Sequence, residues 1–177
     1  TSSAKGVLCS PDGQVLATAD MAHELSVPRP GWAEQDADTV WWAGFVAVCR
    51  KLLSGRWSGD DVGAVGVSGI GPCVLPVDAQ GRPLRPGILF GIDTRATAQI
   101  EALSDDPGFE AIFALSGQVP TTQSAGPKIR WIRENEPEIF ARTRRILTAP
   151  SYLIHRLTGE YVISRHEASY FTPLIDL

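Results

Sequence analysis

Gly31-Trp32-Ala33-Glu34-Gln35-Asp36 runs straight into A-D-T-V-W-W-A-G-F-V-A-V-C-R-K-L-L at 37–53, and V-G-A-V-G-V-S follows at 62–68. These three pieces decide the fold. Asp36 and Asp38 offer helix N-caps ahead of 40–53, where Trp41, Phe45, Val48 and Leu52 recur at helical spacing. Trp42, Val46, Cys49 and Leu53 fill the adjacent stripe, so the apolar arc is wide enough to pack hard on a sheet. The run at 62–68 is apolar at both strand parities, which predicts a strand buried on both faces.

Working back toward the start, Pro11-Asp12-Gly13 separates 5–9 from 14–19. Pro presets one turn dihedral, Asp bonds back to the backbone and Gly takes a positive φ, so a β-hairpin is predicted. Pro28 and Pro30 remove ladder donors and make 27–32 a surface loop.

Working forward, Gly69-Ile70-Gly71-Pro72 turns the chain into 73–77, and Asp78-Ala79-Gln80-Gly81 is a second hairpin-type turn. Helices are predicted at 94–103, 109–115, 127–134, 137–144 and 151–157, with a short strand at 146–148. Pro127 and Pro137 suit first helical positions, and Gly159 suits a helix end. Hairpins first and alternating strands and helices afterwards predict an α/β domain: a mixed sheet with flanking helices.

Size and composition narrow the function. The 177 residues suit one core-bearing domain, and 44% apolar with 20% charged residues is ordinary globular composition. A formal charge of −4 argues against nucleic acid as a partner. Arg142, Arg144 and Arg145 follow Glu134, Glu136 and Glu138, a charge-mixed helical face. No apolar run reaches the ~20 residues of a membrane helix, and no basic-then-apolar leader is present, so no membrane partner and a cytoplasmic location are expected. Cys9, Cys49 and Cys73 are odd in number, unpaired in spacing and set among small or apolar neighbours, which predicts buried free thiols in a reducing compartment and no metal site. The chain opens on Thr1-Ser2-Ser3 without a methionine and ends on Asp176-Leu177, as an excised piece would.

A run of motifs in order carries a resemblance. Thr1-Ser2-Ser3 resembles the end of a D-x-G-T-S/T phosphate loop, and G-W-A-E-Q-D before a Trp-Trp helix resembles the signature of FGGY sugar and polyol kinases. Val67-Ser68-Gly69, Leu84-Arg85-Pro86 with Ile88-Leu89-Phe90, Asp93-x-Arg95, Lys128-x-x-Trp131 and Leu157-Thr158-Gly159-Glu160 continue the family pattern across the whole chain. The resemblance implies a ribonuclease H-like domain of the actin and hexokinase type, from a xylulokinase-like carbohydrate kinase using ATP and Mg2+. Residues 1–177 would be its first, sugar-binding domain, truncated at both ends, with no catalytic residue of its own. The base-bearing second domain, a partner of this chain in the intact protein, is expected beyond Leu177.

That resemblance places the phosphate-binding (cofactor) residues at Thr1, Ser2 and Ser3, and the sugar or polyol at Gly69, Ile70, Gly71, Pro72, Asp93 and Arg95. Asp93-x-Arg95 either hydrogen-bonds sugar hydroxyls or forms a structural ion pair that pins a strand-to-helix turn. Trp131 reads as core. The departures fall at the substrate: Ile70-Gly71-Pro72 replaces the Q-M-H of xylulose kinases and the Q-R-E of glycerol kinases, Phe90 stands for a common Trp, and Gly91 is an extra residue. Gln123 and Ala125 also depart from the front of the K-x-x-W signature. The alternatives are a non-catalytic ligand- or partner-binding module derived from a kinase half, and an actin-like ATPase regulator. A face apolar enough to favour a homo-oligomer is a further expectation.

Overall fold

In a computed structural model, residues 2–174 are described. Strands β1 (Ser3–Cys9) and β2 (Val15–Ala22) form the antiparallel hairpin expected from Pro11-Asp12-Gly13. Gly13 takes φ 87°, and Ser10 closes the turn through its carbonyl, which accepts from Gly13 N at 2.9 Å, and its Oγ, which accepts from Gln14 N at 3.1 Å. The next helix begins as a π-helical stretch, Ala37–Trp42, and continues as α1 (Ala43–Leu52). Asp36, not Asp38, is its N-cap, accepting from Asp38 N at 3.0 Å and Thr39 N at 2.7 Å. α1 lies across the hairpin at Gly6, where a Cβ would collide with Val48.

Strands β3 (Glu34–Gln35), β4 (Leu75–Val77), β5 (Gly87–Ile88) and β6 (Arg145–Leu147) form two further antiparallel pairs, β3 with β5 and β4 with β6. A bridge from Val74 to Ile88 joins the pairs into one short ribbon. No parallel pair occurs among the described strands. The helices that follow are α2 (Thr97–Ser104), α3 (Phe109–Ser116), α4 (Ala125–Asn135), α5 (Pro137–Arg142), α6 (Ala149–Thr158) and α7 (Arg165–Ser169). α5 packs on β4 and α6 on β6, and α4 packs against α2 and α5.

Two apolar cores result. One gathers Trp41, Cys73, Leu75, Val77, Leu89, Leu147 and Tyr152 beneath the helix that starts at Ala37. The other gathers Val74, Ile88, Ala125, Trp131 and Ile132 beneath α4. Trp131 is core, as its sequence context predicts. Of the three free cysteines only Cys73 is buried; Cys9 is exposed and Cys49 half-buried, because strand β1 turns Cys9 outward at the end of the hairpin.

The predicted strand at 62–68 is not a strand here. Its residues carry no ladder hydrogen bonds, Val65 is 55% exposed, and a Cβ on Gly63 or Gly66 would meet nothing within 4 Å. A segment apolar on both faces becomes a buried strand only between two neighbours, and no described strand lies beside it. Helix starts shift for local reasons. α2 begins at Thr97 rather than 94, after a turn in which Thr94 N donates to the Gly31 carbonyl at 2.8 Å. α4 begins two residues before Pro127, which still sits in the first turn, where its missing N–H goes unneeded. α6 begins at Ala149, capped by Thr148 Oγ1, which accepts from Ser151 N at 3.2 Å.

Candidate active site

The segment 62–72 ends at a cavity of about 540 Å³. Ser68, Gly69, Gly71 and Pro72 form one wall, Pro150, Ser151 and Ile154 of α6 another, and His166, Glu167 and Tyr170 close it from α7 and the turn after it. This volume falls within the range of small-molecule sites. Two glycines allow the close approach. A Cβ on Gly71 would stand 3.0 Å from the Phe90 ring, and one on Gly69 would stand 3.3 Å from Pro150. Phe90 meets Tyr170 edge-on with ring centroids 5.4 Å apart, and His166 meets the same ring at 5.5 Å, so one side of the cavity is an aromatic wall.

Of the residues expected at the substrate, Gly69, Gly71 and Pro72 line this cavity. Ile70 turns the other way and packs against the Trp41 core. Asp93 and Arg95 lie outside the lining, fully buried. Arg95 Nε donates to both Asp93 oxygens at 3.0 Å and Nη2 to Oδ2 at 2.8 Å, while Ala33 N donates to Oδ2 at 2.7 Å. Arg95 Nη1 also lies 2.7 Å from Glu34 Oε1, and Arg85 bridges Glu34 to Glu136. The Arg95 guanidinium sits in the corner made by two perpendicular rings, 4.0 Å from the centroid of Trp32 and 5.1 Å from that of Trp131. This charged knot ties the G-W-A-E-Q-D loop to the turn after β5, the geometry of the ion-pair alternative.

Lys128 performs a similar task for the loop before α4. It is 1% exposed, and its Nζ donates to the Leu89 carbonyl at 2.8 Å and the Thr122 carbonyl at 2.7 Å. Burial pulls its pKa down to about 8. Cys73, sealed beneath the cavity floor, has its thiol pushed up to about 12 by burial.

Thr1 lies outside the described residues. The Ser2 and Ser3 hydroxyls, at the open start of β1, have no hydrogen-bond partner among the described residues. Free hydroxyls can donate to a phosphate. Mg2+ is ordinarily held by one or two carboxylates together with phosphate oxygens and water. Among the described residues no carboxylate is paired with Ser2 or Ser3, and no three His, Cys, Asp or Glu side chains converge.

The sequence reading gave His166, Glu167 and Tyr170 no role. One signal was present: Ser164-Arg165-His166-Glu167 has the S-x-x-E spacing of a helix N-terminus. Ser164 is indeed the N-cap of α7, its Oγ accepting from Glu167 N at 3.1 Å.

Comparison with known proteins identifies the family of the chain. Residues 1–174 match the model of the FGGY family of carbohydrate kinases, N-terminal domain. The xylulose kinase of Escherichia coli (strain K12) is 32% identical over 169 residues, covering 96% of this chain and 34% of that protein. The glycerol kinase of Nocardia farcinica is 31% identical over 182 residues, covering 100% and 36%. The crystal structure of xylulose kinase from Rhodospirillum rubrum superimposes with a TM-score of 0.90 at 33% identity, covering all of this chain and 36% of that one. The chain thus spans about a third of the length of the relatives it matches. Such likeness carries the ribonuclease H-like α/β class expected from the sequence. The chain belongs to the FGGY family of carbohydrate kinases, within their N-terminal domain.

Proposed function

We propose that this chain is the sugar-side domain of an enzyme that transfers a phosphoryl group from ATP to a hydroxyl of a sugar or polyol. The observation that carries the reading is the cavity at the end of 62–72, floored by Gly69, Gly71 and Pro72 where the family resemblance puts the substrate. Its aromatic wall suits the C–H face of a carbohydrate, and its backbone floor offers N–H and C=O groups in place of long side chains. When bound, ATP supplies the phosphoryl group. Ser2 and Ser3 would hold one phosphate, and Mg2+ would take its ligands from outside these residues.

Phosphoryl transfer is chiefly positioning and charge stabilisation. Residues 2–174 place no carboxylate as a general base on the cavity other than Glu167. The proposal therefore assigns the base for the attacking hydroxyl to a second domain of the intact protein, which closes on the cavity and excludes water. Asp93 and Arg95 hold the G-W-A-E-Q-D loop in place and act on the sugar through it.

The test is ADP release by the intact protein against ketoses, polyols and sugar acids, with the 177-residue chain alone beside it. The expected result is carbohydrate-dependent turnover by the intact protein and none by the chain alone. No carbohydrate-dependent turnover by the intact protein contradicts the reading.

A further inference from the structure

Glu167 is the charged acceptor on the cavity, and half of it is unused. The residue is 8% exposed, and its Oε2 accepts from the Ser164 hydroxyl at 3.3 Å. Its Oε1 is buried and has no hydrogen-bond partner among the described residues. Capping of α7 engages only the backbone N–H and Oε2, so the helix does not explain why Oε1 stands free. A buried acceptor left unpaired loses its hydration without a replacement partner. Glu167 lines the cavity, and a rotation of its carboxylate would bring Oε1 to a ligand that supplies the donor.

The chemistry of that ligand follows from the lining. A carboxylate only accepts, so the ligand must present donors. No lysine or arginine lines the cavity. Phe90 and Tyr170 offer apolar surface beside Glu167, which suits a molecule with C–H groups on one side and hydroxyls on the other. An anionic ligand would meet the Glu167 carboxylate with no lysine or arginine on the cavity to offset it and only the His166 imidazole beside it. That arrangement disfavours like charge above the pH at which histidine is protonated.

We propose that Glu167 is the specificity-determining residue of this cavity, accepting hydroxyl donors of a neutral carbohydrate and turning away sugar acids. The inference rests on the kinase reading above. It relocates substrate recognition: where Ile70, Gly71 and Pro72 bring no polar side chain to the floor, the opposite wall supplies the acceptor.

The experiment measures ADP release by the intact protein with D-xylulose, glycerol, D-sorbitol and D-gluconate, for wild type and Glu167→Gln. Wild type should favour its best neutral substrate over gluconate by about 100-fold in kcat/KM. Glu167→Gln keeps the shape and removes the charge. It should raise KM for that neutral substrate about 10-fold, leave kcat within about 3-fold, and narrow the neutral-to-acid ratio about 10-fold. Active wild type with unchanged KM and ratio in Glu167→Gln overturns the role of Glu167 and leaves the kinase reading standing. A wild-type preference for gluconate overturns it too, without recourse to any variant, should Glu167→Gln fail to fold. No carbohydrate-dependent ADP release from wild type overturns the kinase reading and this inference with it.

Discussion

Asp93 and Arg95 meet through three side-chain hydrogen bonds of 2.8 to 3.0 Å, and neither side chain is exposed to solvent. Removing Asp93 leaves the buried Arg95 guanidinium with Glu34 as its carboxylate partner and with its Nε unpaired. Asp93→Ala should therefore destabilise the fold by about 3–5 kcal/mol, read as a fall in urea midpoint at constant slope. A variant of wild-type stability that instead raises KM for the carbohydrate would assign Asp93 to the ligand.

Gly126 supports the cavity from behind. A Cβ there would stand within the contact shell of the Thr172 carbonyl, a backbone group that cannot swing aside. Ala125 N donates to the Tyr170 carbonyl at 2.8 Å, so the start of α4 and the segment after α7 are docked together. Gly126→Ala should cost about 1–3 kcal/mol in denaturant unfolding and shift the aromatic wall. A Gly126→Ala protein as stable as wild type would show that this docking is loose.

Two buried groups give opposite pH signatures. Lys128, with its pKa at about 8 folded and 10.5 ordinarily, binds fewer protons when folded than unfolded between those values. Its contribution to stability therefore rises with pH across 8 to 10.5 and is lost as pH falls through 8. Cys73, near 12 folded against 9.0 ordinarily, binds more protons when folded, so its contribution falls as pH climbs from 9 toward 12. Unfolding free energies measured at pH 7.5, 9 and 10.5 should lose the rising component in Lys128→Met and the falling component in Cys73→Ala. Curves parallel to wild type would contradict the assignments.

The thiols should separate by burial. Cys9 is exposed, Cys49 half-buried with its pKa raised by burial, and Cys73 sealed. Ellman's reagent should modify Cys9 within seconds to minutes, Cys49 more slowly, and Cys73 only on unfolding. Fast modification of two or more thiols in the native protein would contradict that order.

What the sequence disclosed depended on how local the determining physics was. The Pro11-Asp12-Gly13 hairpin, the Asp36 cap and the Gly159 helix end are set by neighbours in the chain, and each is where expected. Trp131 fell into the core because a Trp on the apolar stripe of α4 has little else to do. The strand at 62–68 failed because strand formation needs partners that a single segment cannot reveal. At the site, Gly69, Gly71 and Pro72 were legible through motif order. Glu167 was not, since its meaning comes from α7 folding back against a wall nearly a hundred residues earlier in the chain.

The central claim is that the cavity between Gly71, Phe90 and Glu167 holds the carbohydrate. The most direct measurement is a crystal structure of the intact protein with its best neutral substrate and a non-hydrolysable ATP analogue. The account predicts sugar density in that cavity, with a hydroxyl within about 3 Å of Glu167 Oε1. Sugar density elsewhere, with the cavity empty or Glu167 turned away from the ligand, would contradict it.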